Sequence, residues 1–335
     1  MLNRSRKIFY IGSVSNPYKE TLLGGEIVTI QQACTLRNWG YSTFVVTGLG
    51  RLESLRTRRQ RDSLFIHRSQ FERLIEPDTD VVVVPGRHLS ELNSTPGRNK
   101  VLFSQGAYIT LAALNFRPGT ENPWQNPSLK GIFCVSKGNA DLIQAIAGNR
   151  SVSVIPPHIR CDCDPATGDG KEILVAFPSL NRPEKNPLDT KAVLHLICAR
   201  LRMSKPGLLR QLQFLELSGL SHQDLLAILK KASVLLFLGN NEGLPLLVLE
   251  AMKHHVITVG FNRKPLSDLL HKNCTFEIGE LERIADTAVD VLENPRNWDA
   301  IRSWGRAKAD TYTEDAHLKS LREAWSGVED AIVGH

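Results

Sequence analysis

Two kinds of apolar pattern alternate along this chain. Short runs of consecutive apolar residues are separated by longer stretches in which apolar positions recur every three or four residues. The first kind marks parallel strands covered on both faces, and the second marks helices packing one side against them. In the first half the pattern predicts strands at Lys7–Val14, Ser42–Thr47, Leu64–His67, Asp80–Val84, Lys100–Ser104 and Gly131–Val135. Val81-Val-Val-Val and Ile132-Phe-Cys-Val are uninterrupted, as buried parallel strands should be. Gly25–Trp39 carries apolar residues at helical spacing (Ile27, Ile30, Cys34), and Gly40 closes that helix. Ser136 is placed to cap the helix that follows Gly131–Val135.

The texture changes near residue 156. The stretch from Pro156 to Gly170 has three prolines, two glycines and no periodicity, as a linker would. A second alternation then begins. Strands are expected at Glu172–Phe177, Gln213–Leu217, Val234–Leu238 and Val256–Gly260, and helices at Leu188–Leu201, Gln223–Ala232 and Leu246–His254. From Glu280 to Val328 the chain reads as successive helices broken near Pro295 and Thr311. Strands interleaved with helices indicate doubly wound α/β domains. The expected division is 1–157, a linker at 158–171, a second domain at 172–310 and a C-terminal helical segment at 311–335 that packs back on the first domain. Two such halves facing each other would offer a ligand cleft.

Composition adds limits. The 335 residues are 42% apolar and 23% charged, typical of a folded protein of about two domains. A net charge of +6 suits an anionic ligand without demanding one. Of the six cysteines, Cys34, Cys134, Cys198 and Cys274 lie in apolar runs and read as small buried hydrophobes. Cys161 and Cys163 have no second ligand pair at zinc spacing, so no metal is expected, and the thiols read as reduced in a cytoplasmic setting. No apolar run approaches the ~20 residues that cross a bilayer. Asp78-Thr-Asp80 resembles a metal-binding pair, but it precedes a strand instead of ending one.

The chemistry concentrates in Asn241-Glu-Gly-Leu-Pro-Leu-Leu-Val-Leu-Glu-Ala-Met-Lys253, where Glu242 and Glu250 bracket an uncharged segment. The strand Val234–Leu238 leads into a turn-rich loop, and Pro245 suits the first turn of the helix after it. The start of such a helix attracts anions. Glu250 falls about 7–8 Å further along the axis, at ~1.5 Å per residue. That is too far from Glu242 for a close carboxylate couple; the two suit opposite ends of one extended ligand with an anionic middle.

The run from Leu217 through Leu238 to Met252 resembles the C-terminal half of family 4 glycosyltransferases, in the strand, the Gly-Leu-Pro turn and the Glu-x7-Glu signature before Ala-Met. The resemblance is strongest over 213–260 and extends over 130–325. It implies the GT-B fold, two Rossmann-like domains facing across a cleft, and retaining, metal-independent transfer of a sugar from a nucleotide-sugar donor to a glycan, lipid or small-molecule acceptor. It implies further that Glu250 binds the donor ribose, that Glu242 lies by the transferred sugar, and that backbone at Gly243 and Leu244 helps hold the donor. The family lysine matches Lys185. The family arginine position is Leu180, so Arg182 is the substitute. Gly24 and Gly25 match a glycine loop near the donor phosphate and acceptor. Gln105 stands where the family often has a histidine. A noncatalytic subunit of the same fold and a nucleotide-sugar epimerase are the alternatives. Arg51, Arg56, Arg58, Arg59 and Arg61 form a basic stretch suited to peripheral contact with an acidic membrane face or an anionic acceptor. No nucleic-acid platform is present.

Overall fold

The computed structural model describes residues 5–12, 24–48, 64–113, 122–159, 172–240 and 242–334. The basic stretch Arg51–Arg61, the cysteines Cys161 and Cys163, Asn241 and most of the expected linker lie outside the described residues. The chain divides into two compact units, one of Met1–Pro157 with Glu314–His335 and one of His158–Thr313.

The first unit holds strands β1 (Lys7–Ile11), β2 (Ser42–Thr47), β3 (Phe65–His67), β4 (Val81–Pro85), β5 (Asn99–Ser104), β6 (Leu129–Cys134) and β7 (Val152–Val154), with helices α1 (Gly24–Asn38), α2 (Arg68–Leu74), α3 (Ala107–Ala112) and α4 (Lys137–Ala147). The sheet order is β3-β2-β1-β4-β5-β6-β7, and its strand pairs are parallel. All five residues of β4 and all six of β5 are buried, which is why Val81–Val84 and Val101–Phe103 read as unbroken apolar runs. Phe9 stacks on Phe44 with ring centroids 5.4 Å apart and meets Phe71 edge-on at 5.0 Å, tying the sheet to α2.

Helix α1 departs from its expected face. Val28, Ala33 and Leu36 are buried with Glu26, Thr29 and Gln32, whereas Ile27 and Ile30 are half-buried and Cys34 is exposed. Polar residues enter the buried stripe because they find partners there: the Tyr10 hydroxyl lies 3.3 Å from Gln32 Oε1, and Thr29 Oγ1 donates to the Gly25 carbonyl at 3.0 Å. Cys198 is likewise only half-buried; Cys134 and Cys274 are the buried thiols. Gly40 sits at φ 90° just past α1, and its N–H donates to the Arg37 carbonyl, as a helix C-terminus requires.

The second unit holds β8 (Leu174–Pro178), β9 (Gln213–Leu217), β10 (Val234–Phe237), β11 (Ile257–Phe261) and β12 (Thr275–Phe276). Around them run α5 (Pro187–Ser204), α6 (Pro206–Leu209), α7 (His222–Lys231), α8 (Leu246–Lys253), α9 (Leu266–Leu269), α10 (Leu281–Glu293) and α11 (Asp299–Ala309). The sheet order is β12-β11-β10-β8-β9, with parallel pairs. Its core is largely aliphatic, with Val193, Ile197 and Leu201 of α5, Leu235 and Leu236 of β10, and Val248 and Leu249 of α8 all inaccessible.

The last helix, α12 (Glu314–Val333), belongs to the first unit. Trp325 meets Phe133 of β6 edge-on with centroids 5.3 Å apart. Gly131 leaves room for that approach, since a Cβ there would lie 2.9 Å from Val328 Cγ2.

Candidate functional site

In the second sheet β8 and β10 are neighbours, although β9 lies between them in sequence and outside them in space. Chain connections leave this junction in opposite directions, so the loops after β8 and β10 rise side by side at their carboxyl ends. The two loops are bonded together. Asn186 Nδ2 donates to the Leu238 carbonyl at 2.8 Å, and the Asn240 N–H donates to the Glu184 carbonyl at 3.2 Å. Asn186 adopts φ 52°, a left-handed conformation that asparagine tolerates better than most residues.

This junction brings Lys185 onto Glu242. The ammonium is hydrogen-bonded and ion-paired to Glu242 Oε1, with only 14% and 20% of the two side chains exposed. The ammonium also lies 5.1 Å from the centroid of the Phe237 ring. Gly239 keeps the space beside the pair open: a Cβ there would sit 3.4 Å from Glu242 Oε1 and 3.5 Å from Lys185 Cδ. Gly243 is buried, and Leu244 packs against the core. Pro245 then begins α8 without a side-chain cap, so the first-turn N–H groups are not covered by one.

Glu250 lies inside α8 and is 8% exposed. Its Oε1 lies 2.9 Å from Nε2 of His222, the first residue of α7. That hydrogen bond, aided by the carboxylate charge and opposed by burial, raises the His222 pKa above its ordinary value. The sequence offered no signal for this pairing, because the two residues come from different helices.

Leu180 and Arg182 diverge from that pair. The Leu180 side chain packs on the core and its N–H donates to Glu216 Oε1 at 3.0 Å. Arg182 Nε donates to Glu184 Oε1 at 2.6 Å, and about half of its side chain is exposed (47%). The Arg182 carbonyl accepts the Lys185 N–H at 2.9 Å, while its guanidinium is engaged by Glu184 and not by Glu242.

In the first sheet the corresponding junction lies between β1 and β4. Gly24 and Gly25 open α1. Gln105, just beyond β5, donates from Nε2 to the Gly25 carbonyl at 2.6 Å and to Thr29 Oγ1 at 3.1 Å. A Cβ on Gly25 would fall 2.5 Å from Gln105 Oε1, so a larger residue there would push that amide aside. After β4, Arg87 donates to the Gly12 carbonyl, and His88 Nδ1 lies 2.9 Å from Glu91 Oε1. These two were not singled out in the sequence; their position directly after a fully buried strand was the available signal.

Asp80 is fully buried and accepts the N–H groups of Lys7 at 2.8 Å and Glu76 at 2.7 Å, while Asp78 pairs with Arg98 at 2.9 Å. Asp80 thus joins the start of β4 to β1. Among the described residues no group of three or more His, Cys, Asp or Glu side chains could hold a metal ion, and no helix is long and apolar enough to cross a membrane.

No protein-family model and no curated protein matches the chain. Solved structures do. Sucrose-phosphate synthase from Thermosynechococcus elongatus superposes with TM-score 0.71 at 11% identity, over 97% of this chain and 100% of that one. Anabaena HepE, solved with UDP and glucose, gives 0.66 at 13% identity, over 96% and 99%. S. aureus TarM, solved with UDP, fondaparinux and α-GlcNAc-glycerol, gives 0.57 at 14% identity over 78% of this chain, which spans only 58% of TarM. At such identities the likeness establishes architecture: this chain has the α/β fold of the GT-B glycosyltransferases, built on two parallel sheets flanked by helices.

Proposed function

We propose that this protein transfers a sugar from a nucleotide-sugar donor to a hydroxyl of a glycan, lipid or small-molecule acceptor, with retention at the anomeric carbon and without a metal ion. The observation that carries the reading is the junction between β8 and β10, where Lys185, Glu242 and an uncapped helix start converge. A nucleoside diphosphate leaving group gains negative charge as the glycosidic bond breaks. Lys185 and the first-turn amides of α8 are assigned to that charge, with backbone at Gly243 and Leu244 beside them. Glu242 is assigned to the transferred sugar and Glu250 to the ribose diol, whose two hydroxyls a carboxylate accepts well. Arg182 would join the phosphates only by leaving Glu184. Gly24, Gly25 and Gln105 are assigned to the acceptor and donor-phosphate side, with Gln105 acting through the backbone it holds. The basic stretch Arg51, Arg56, Arg58, Arg59 and Arg61 is proposed for peripheral contact with an acidic membrane surface or acceptor.

A donor panel tests the reading: UDP-, GDP-, ADP-, CDP- and dTDP-sugars, assayed for slow hydrolysis and for transfer to an acceptor mixture. Turnover that falls about 100-fold in Lys185→Ala supports the assignment. Absence of both binding and turnover across the panel rejects it. A second reading, a noncatalytic subunit, is favoured by the core packing of Leu180 and the engagement of Arg182 with Glu184. Binding without turnover in the presence of acceptors would support that one.

A further inference from the structure

A carboxylate as deep as that of Glu250 needs compensation for lost hydration. Among the described residues, its one side-chain partner is His222. Other ionisable groups of the surrounding elements have partners of their own, as Lys231 of α7 has in Glu172. Asp224, on the same helix as His222, takes the Ser221 hydroxyl at 2.6 Å. Glu216 of β9 holds the Leu180 N–H, and Lys253 at the far end of α8 lies 3.4 Å from Asp310. Strands β8 and β10 contribute no ionisable side chain. His222 therefore contacts Glu250 without a competing charge. A carboxylate has about four acceptor sites, so one bond from Nε2 leaves room for two hydroxyl donors.

We propose that His222 is a positioning residue of the donor site, holding the Glu250 carboxylate pre-oriented for a ribose cis-diol. The proposal rests on the donor reading above. A carboxylate already fixed by one bond loses less conformational freedom when a diol binds. The hold is strongest when the imidazole is protonated, because both partners are then charged. The raised His222 pKa extends that condition upward from the ordinary imidazole range. Diol affinity should fall as pH rises through the His222 titration.

Calorimetric titration tests this. Wild type, His222→Ala and His222→Gln are titrated with UDP, GDP, ADP and CDP, and with dTDP, which lacks the 2′-hydroxyl; the ribonucleotide that binds is compared with its 2′,3′-dideoxy form. The expected result is about tenfold weaker binding of the ribonucleotide to His222→Ala, with partial recovery in His222→Gln. The dideoxy form should bind all three proteins equally. Wild-type affinity for the ribonucleotide should decline from pH 6 toward ~8.5, and the variants should be flat. Unchanged ribonucleotide affinity in His222→Ala overturns the proposal, and so does an equal loss for both nucleotides, which marks a merely structural role. Wild type that binds none of the five overturns the donor reading itself.

Discussion

Lys185 is neutralised from one side by Glu242 and faces the Phe237 ring on another. A diphosphate arriving at this ammonium meets a carboxylate already in contact with it. Glu242 thus competes with the donor phosphates in the free protein, even though its assigned role is to help the transferred sugar. Removing its charge while keeping its shape should separate these effects. Glu242→Gln is expected to tighten binding of the cognate nucleoside diphosphate about fivefold, because Lys185 regains its net charge. Sugar transfer by the same variant should fall at least about tenfold. Calorimetry and a transfer assay on one preparation check both; weaker diphosphate binding would show that Glu242 does not occupy the phosphate position.

Helix starts do most of the positioning at the next scale up. Helix α1 begins on two glycines buttressed by Gln105, α7 begins on His222 behind the Ser221 cap, and α8 begins on an uncapped proline. The first of these is a matter of fit. Gly25→Ala should destabilise the protein by about 1 kcal/mol, since its Cβ would displace the Gln105 amide from its two hydrogen bonds. Gln105→Ala loses the same two bonds, so the double variant should be no less stable than Gln105→Ala alone. Thermal melts of the two single variants and the double variant measure this coupling. Additive losses would place the strain elsewhere.

At the scale of the whole molecule, the chain leaves the first unit at Pro157 and returns to it at Glu314. Helix α12 is therefore a distant part of the sequence that completes an early core. Trp325→Ala should cost about 3–5 kcal/mol through the cavity left beside Phe133. Amide exchange should locate the damage, with lost protection in β6 and unchanged protection in β8 and β10. The return is also sensitive to acid. His317, in α12, is inaccessible, and its Nδ1 lies 2.8 Å from the Pro156 carbonyl. Burial lowers its pKa, against the opposing pull of that carbonyl and of Glu314. The unfolded chain then binds the proton more readily than the folded one. Stability is full above the ordinary imidazole value of about 6.5 and declines as pH falls from there through the lower folded value. Melting temperatures of wild type and His317→Gln between pH 7.5 and 5.5 should converge as the pH falls.

The strands at the centres of both sheets and the loop carrying Glu242 were legible in the sequence. Unbroken apolar runs such as Val81–Val84 exist only where both faces are covered, and Pro245 marks a helix start by local chemistry alone. The short edge strands β7 and β12 escaped, because Val-Ser-Val and Thr-Phe form no continuous apolar run of strand length. The inner face of α1 was misjudged at Ile27, Ile30 and Cys34, because Gln32 and Thr29 became fit for the interior only through partners elsewhere. The same reason governs the site. Local sequence determined where Lys185, Glu242 and Glu250 stand on their own elements. The strand order decided that Lys185 meets Glu242, and helix packing decided that Glu250 meets His222. Such contacts join residues separated by tens of positions, and a local pattern holds no record of which loops a sheet will set side by side.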